Sequence, residues 1–185
     1  MWSESESVEA RAESFLAREL EAWAPYEALF RVPDDVLSQA AAPDGPLGTW
    51  KGRDLLVHMA SVTGGLVAVA KELQVSSSSR LLALLYTEWN QLGAEAYNAR
   101  VMEKNRDVPI EVVRERLRAG RDDFHRQLRL VPVGHWIKDT FHYGWFFGDS
   151  IAHYDSHTAQ LKELLAMAGV PYTGIYTGDR VPLYA

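Results

Sequence analysis

Two histidines four residues apart, His153 and His157, stand in a stretch of helical periodicity. One α-helical turn takes 3.6 residues, so both imidazoles leave the same face, a spacing that can clamp one metal ion. Projection at about 100° per residue sets them beside Phe146 and Leu164 at the flank of an apolar arc, with Asp155, Ser156, Lys162 and Glu163 on the far side. An earlier segment offers a matching position, where His58 shares an arc with Leu55, Val62, Leu66, Val69 and Leu73. Inward imidazoles are costly when unpaired, so the three either share a cation, a ligand or a hydrogen-bond network, or each finds its own partner in the core. Spacing alone leaves both readings open. Three neutral imidazoles on one ion would leave coordination positions free, as in catalytic rather than closed structural sites, and zinc, nickel and iron(II) all suit such ligands. An ion there could lower the pKa of a bound water towards 7 or hold a thiol as thiolate.

Asp54 and Asp149 each precede an inward histidine by four residues. They either orient ligands as outer acceptors or, the stronger reading, complement the dipole near a helix start. Gly64 and Gly65 interrupt an otherwise apolar helix at about 1 kcal/mol each relative to Ala, which suggests close helix packing there. About a third of the aromatic set Trp50, Trp89, Tyr97, Trp136, Phe141, Tyr143, Trp145, Phe146 and Tyr154 is expected to line an apolar pocket over the histidines, and the rest to be core. His135 and His142 fall in irregular sequence and are expected on surface loops. His125, among Arg121, Asp122 and Arg126, reads as solvated on a polar face.

The elements that must position these groups are helical throughout. A first helix carries Val8, Ala12, Phe15, Leu16, Leu20 and Trp23 on one face, and Pro25 ends or kinks it. A breaker-rich connection with Pro33, Pro43, Asp44, Gly45 and Pro46 follows, long enough for a crossover. Thr49 is the expected N-cap of a second helix from about Trp50 to Leu73, with Ser76 to Ser79 forming a loop and the next cap. A third helix is expected from Arg80 to about Asn105. A fourth begins near Pro109 and buries Val113, Leu117, Phe124 and Leu128 before Pro132. A fifth has Phe147, Ile151, Tyr154, Thr158, Leu161, Leu165 and Ala168 facing the core, and is stopped by Gly169 and Pro171. The tail over 170–185 is read as irregular, and its Tyr172, Ile175, Tyr176, Leu183 and Tyr184 suggest docking on the body or on a partner subunit.

The 185 residues suggest one domain spanning 1–185. With 47% hydrophobic and 24% charged residues, collagen-like and disordered classes are excluded. Nineteen basic against 25 acidic residues give a net charge of −6, ill suited to nucleic acid or an anionic membrane surface. The absence of Cys removes disulfides, Cys-ligated zinc and a thiolate nucleophile, so any thiol must come from outside. The acidic start MWSESESVEA has no signal-peptide pattern, and the longest uncharged stretch, Leu55 to Ala70, is shorter than a bilayer span of about 20 residues. Cytoplasmic localisation is the expectation.

Two stretches carry a resemblance. Thr49-Trp50-Lys51-Gly52-Arg53-Asp54-Leu55-Leu56-Val57-His58-Met59-Ala60 resembles the second-helix motif of the DinB/YfiT-like superfamily, in which a Trp, a Lys-Asp-like segment and an inward His recur. Ile151-Ala152-His153-Tyr154-Asp155-Ser156-His157-Thr158-Ala159-Gln160 resembles its final-helix motif, and the likeness spans about residues 10 to 168. The His-Tyr-x-x-His form, with Tyr97-Asn98 and Asn105-Arg106-Asp107-Val108-Pro109 between the motifs, is most similar to the branch containing colibactin self-resistance proteins.

The resemblance implies an all-α four-helix bundle of DinB/YfiT type, here with an extra helix and an irregular C-terminal tail, often dimeric. It implies a divalent-metal site made by His58, His153 and His157, holding zinc, nickel or iron. Metal-dependent transferases of small thiols such as bacillithiol and mycothiol belong to the superfamily. The implied function is therefore that of a small-thiol transferase or a hydrolase acting on a small electrophile, with a homodimer expected. The self-resistance branch implies a second reading, a metal-independent hydrolase or sequestering protein that uses the aromatic pocket and polar groups such as Asn98. A third reading is a non-enzymatic helical interaction module with structural histidines.

Overall fold

A computed structural model describes residues 7–42 and 44–174. Pro43 and, in the tail, Ile175, Tyr176, Leu183 and Tyr184 lie outside the described residues. Among those described, the chain is all-helical, with a single isolated bridge between Ala40 and Lys51. Its elements are α1 (Val8–Trp23), a 3-10 segment (Ala24–Arg31), α2 (Asp34–Ser38), α3 (Gly52–Val75), α4 (Arg80–Lys104), α5 (Ile110–Arg129), α6 (Val133–Trp136), α7 (Thr140–Phe147), a π turn (Gly148–Ala152) and α8 (His153–Met167).

The helices form where periodicity and caps agree. Ser7 Oγ accepts from Ala10 N at the start of α1, and Ser79 Oγ accepts from Leu82 N at the start of α4. Val113, Leu117, Phe124 and Leu128 are all buried on α5, and Leu55, Leu66, Val69 and Leu73 on α3. α3 is long and apolar enough to cross a membrane by length and composition alone, but more than half of that span is buried, and it packs against α4 and α5. One hydrophobic cluster runs from Ala12 through Leu56, Phe124 and Trp136 to Leu165. The tail begins on the body: Lys162 Nζ lies 4.8 Å above the Tyr172 ring, and Gly174 abuts Pro25.

Several expectations are corrected. Thr49 does not cap α3. Lys51 occupies the N-cap, and Asp54 Oδ2 accepts from Lys51 N at 2.8 Å, a bond available only once the helix begins at Gly52. The long connection holds the 3-10 segment and α2, and α2 packs on both α3 and α8. On α1 Leu20 is exposed, whereas Glu19 occupies the buried face. The fifth helix starts seven residues before Phe147, at Thr140, where Asp139 Oδ1 accepts from His142 N. Before the π turn Phe146 rather than Phe147 is buried, and within it Ser150 joins Ile151, because the wider turn inserts one residue and slips the register.

The third helix is not continuous. Gly93 has φ 73° and ψ 167°, a region open essentially to glycine alone, and the chain folds back there. Two contacts span the bend: an ion pair between Glu88 and Arg100, and an edge-to-face packing of Trp89 on Tyr97 at 5.4 Å between centroids. In a straight helix these pairs would be about 18 and 12 Å apart along the axis.

Close packing at Gly64 and Gly65 is also not what the structure shows. A Cβ on Gly64 would meet nothing within 4 Å, and one on Gly65 would meet only Leu85 Cδ1 at 3.8 Å. The close approaches occur elsewhere. A Cβ on Gly120 of α5 would stand 2.9 Å from Thr63 Cγ2 of α3, and one on Gly52 would clash with Leu164 of α8.

Candidate metal centre

The clash at Gly52 explains how two distant segments meet. Only a residue without a side chain lets the first turn of α3 lie against Leu164 of α8 and Leu37 of α2. Flanking bonds fasten the same region: Leu47 N donates to Glu163 Oε2 on α8 at 2.6 Å, and the Arg53 guanidinium donates to the carbonyls of Asn105 and Val108 at 2.7 and 2.6 Å. His58, in the second turn of α3, is thereby carried onto the first turn of α8. The rings of His58, His153 and His157 stand 4.6 to 4.8 Å apart by centroid.

The nitrogens converge more closely than the rings. His58 Nε2 lies 2.9 Å from His153 Nε2 and 3.1 Å from His157 Nε2. Imidazoles bound at about 2.1 Å to one ion, at angles between 90° and tetrahedral, place their nitrogens about 3.0–3.4 Å apart, so the spacing fits a shared cation. His58 is buried, and the other two are half-buried. The three can hold a metal ion.

Proton arithmetic supports that reading. Gln160 Oε1 accepts from Nδ1 of His157, so in the neutral ring the proton sits on Nδ1 and Nε2 carries a bare lone pair. His58 Nε2 faces two other ring nitrogens, and a single proton on it could serve only one of them fully. Protonating the cluster is no remedy, because burial, reinforced by the neighbouring rings, pushes His58 down to about 2 and His153 down to about 3. Burial also lowers His157, against the opposing bond from Gln160. Three neutral rings around too few hydrogens form a donor set for a cation.

No family profile, curated protein or solved structure matches the chain. The reading of the site therefore rests on its geometry.

The surrounding groups divide clearly. Trp50 packs on the cluster, 5.1 Å from the His58 ring and nearly parallel to His157 at 6.0 Å. Trp136, Phe146 and Tyr154 are core, Trp89 and Tyr97 pair across the α4 bend, and Phe141 is exposed against Tyr86. Two hollows among the described residues lie away from the cluster: one at Val57, Ser61, Gly64 and Arg116, the other between α1 and the end of α5. Asp54 caps α3, as the dipole reading holds. Asp149 does not, since it lies inside the π turn rather than at a helix start. There burial pushes its carboxyl up to about 6, partly offset by a bond from Trp145.

The remaining histidines are not the surface groups expected. His142 is buried with Nδ1 against the His135 carbonyl at 2.8 Å, and His135 Nδ1 lies 2.7 Å from the Leu73 carbonyl. His125 is not solvated. Its Nε2 meets Glu19 Oε2 at 2.5 Å, inside a network the sequence did not reveal. Glu19 is fully buried and takes a two-pronged bond from Arg121 and a 2.7 Å bond from the Tyr154 hydroxyl, while Tyr26 donates to the Tyr154 carbonyl at 2.6 Å. Tyr154 directly follows His153, so this network anchors the helix that presents both late histidines. The available signal was the spacing of Val113, Leu117, Arg121, Phe124 and Leu128, which puts Arg121 within the apolar stripe of α5.

Proposed function

We propose that this chain is a DinB/YfiT-like metal-dependent enzyme that transfers a small thiol to, or hydrolyses, a small electrophile. The observation that carries the reading is the convergence of three imidazole Nε2 atoms with only two donor–donor spacings, 2.9 and 3.1 Å, at a common His58 nitrogen. His58, His153 and His157 would hold zinc, nickel or iron(II), and the motif residues around them support the superfamily assignment. Such a cation supplies Lewis acidity, which acidifies a bound water or an external thiol and polarises an electrophile.

The other roles belong to this chain's own residues. Gln160 fixes the proton of His157 on Nδ1 and so turns Nε2 towards the centre. Trp50 shields one side of the cluster from water. Asp149, four residues before His153 and with its carboxyl near 6, can take up or release a proton close to neutral pH. With no Cys in the chain, a thiol cosubstrate must come from outside it.

The test combines metal analysis with thermal shift. Purified protein is expected to carry about one divalent ion per chain, and added Zn(II), Ni(II) or Fe(II) to raise the melting temperature by an amount equivalent to about 3 kcal/mol at one hundred times Kd. The shift should vanish in the triple variant His58→Ala, His153→Ala, His157→Ala. A shift that survives in that variant, or wild-type protein that binds none of these ions, overturns the assignment.

A further inference from the structure

Trp145, Asp149, His153 and His157 recur every fourth residue from α7 through the π turn into α8, so they follow one side of the helix. The later two belong to the metal centre. Asp149 stands one turn earlier, about 6 Å along the axis from His153, and is not among the converging ligand atoms.

The element facing this earlier turn is α4. Before its bend, Tyr86 packs edge-on against Phe141 of α7 at 5.8 Å, with both rings about half exposed. Beyond the bend, Tyr97 comes within electrostatic reach of Asp149: burial, then the charges of Glu88 and Asp149, raise its phenol, against an opposing effect of Arg100. Trp89 braces that ring by edge-to-face packing at 5.4 Å. Aromatic side chains therefore line both sides of the seam between α4 and α7.

Asp149 is the one acid on the α7 side of this seam, and it lacks a counter-charge. Burial pushes its carboxyl up only to about 6, so at pH 7 it is mostly ionised. Its bond comes from Trp145, and among the described residues no Lys, Arg or His helps to hold it charged. The guanidinium that acts on Tyr97, that of Arg100, is committed to Glu88. A carboxylate can accept about four hydrogen bonds, and a buried one without a cation is costly. The groups that would relieve it are absent from the chain around it.

We propose that the seam between α4 and α7 binds an ammonium group of the substrate, with its N–H groups donating to the Asp149 carboxylate and the Trp145 and Tyr97 rings flanking the cation. The substrate class is then a small electrophile that carries an amino group about one helical turn from its reacting atom. This rests on the metal-enzyme reading above, which supplies the reacting end. Charge selects the cation: ammonium–carboxylate bonds are charge-assisted and aromatic faces attract positive charge, whereas an anion would meet Asp149 and those same faces. The net charge of −6 acts in the same sense at longer range. On such a substrate Asp149 is an anchor, because a bound cation holds its carboxyl ionised.

The test uses the full chain freed of metal by a chelator, so that no ion can hold the amine instead. Benzylammonium and benzyl alcohol, of nearly equal size but different charge, are titrated at pH 7.5 by calorimetry. Wild-type protein is expected to bind benzylammonium at least about tenfold more tightly than benzyl alcohol. Asp149→Asn should abolish that preference with unchanged circular dichroism, and Tyr97→Ala should weaken the amine about 3–10-fold. Metal binding is read separately, by thermal shift without the amine, so failure of the seam and failure of the metal centre give different results. Wild-type protein that binds benzylammonium no more tightly than benzyl alcohol overturns the proposal, as does an Asp149→Asn variant that keeps the preference.

Discussion

The carboxylate of Glu19 on α1 and the guanidinium of Arg121 on α5 meet out of contact with solvent, 102 positions apart, and both bond the Tyr154 hydroxyl. Burial by itself would raise the Glu19 pKa; bonds from His125 and Arg121 outweigh it and hold the carboxyl at about 2. Removing one partner strands the other charge, so Glu19→Ala should cost about 3–5 kcal/mol, whereas Glu19→Leu with Arg121→Met should cost far less. Urea unfolding of the single and double variants measures the difference. Equal losses would mean that the pair is not coupled.

The folded-state pKa of Glu19 lies below its ordinary value, so its stabilisation is present above about pH 4.5 and is lost as pH falls towards 2. The histidines act in a different window. His58 and His153 have folded pKa values of about 2 and 3 against about 6.5 unfolded, so between pH 6.5 and 3 the unfolded chain binds more protons and stability falls with pH. The metal-free protein should therefore lose about 1.4 kcal/mol per pH unit for each of these histidines, a loss that precedes any contribution from Glu19. Denaturation at pH 7 and pH 5 reads this, and His153→Leu should reduce the slope. A flat profile between these values would contradict the neutral, crowded cluster.

Gln160 offers a cleaner separation of metal binding from folding. It touches His157 through Nδ1 alone, so Gln160→Ala should weaken metal affinity about 10–100-fold while moving the metal-free melting temperature little. Competition titration against a chromogenic chelator gives the affinity. Wild-type affinity in this variant would remove Gln160 from the site.

Three glycines should respond in different ways to alanine. Gly64 is helical with open space at its Cβ position, so Gly64→Ala should stabilise by about 0.5–1 kcal/mol. Gly120→Ala would push α5 against Thr63 of α3 and should cost about 1–3 kcal/mol. Gly93→Ala forbids the bend and should cost about 1–3 kcal/mol, with loss of the Trp89–Tyr97 contact visible in near-UV circular dichroism. Unfolding curves of the three variants, ranked against wild type, check the order.

Periodicity and capping are properties of neighbours along the chain, and what depends on them was readable from sequence. The all-helical class, the buried stripe of α5, the Ser79 cap, and the inward aspect of His58, His153 and His157 all belong here. Each follows from which side chains recur every third or fourth residue, and burial of apolar surface then fixes the direction of that face.

Other features required partners that local sequence does not contain. A lone glycine among strong helix formers is compatible with a straight helix, so the fold at Gly93 emerged only with the contacts that span it. Arg121 reads as polar surface until Glu19 arrives from α1, because a charge can enter an apolar stripe only when another element brings its counter-charge. Periodicity could likewise point three imidazoles inward, but whether they meet depended on how closely α3 approaches α8, and that distance is set by the absent side chain of Gly52 against Leu164.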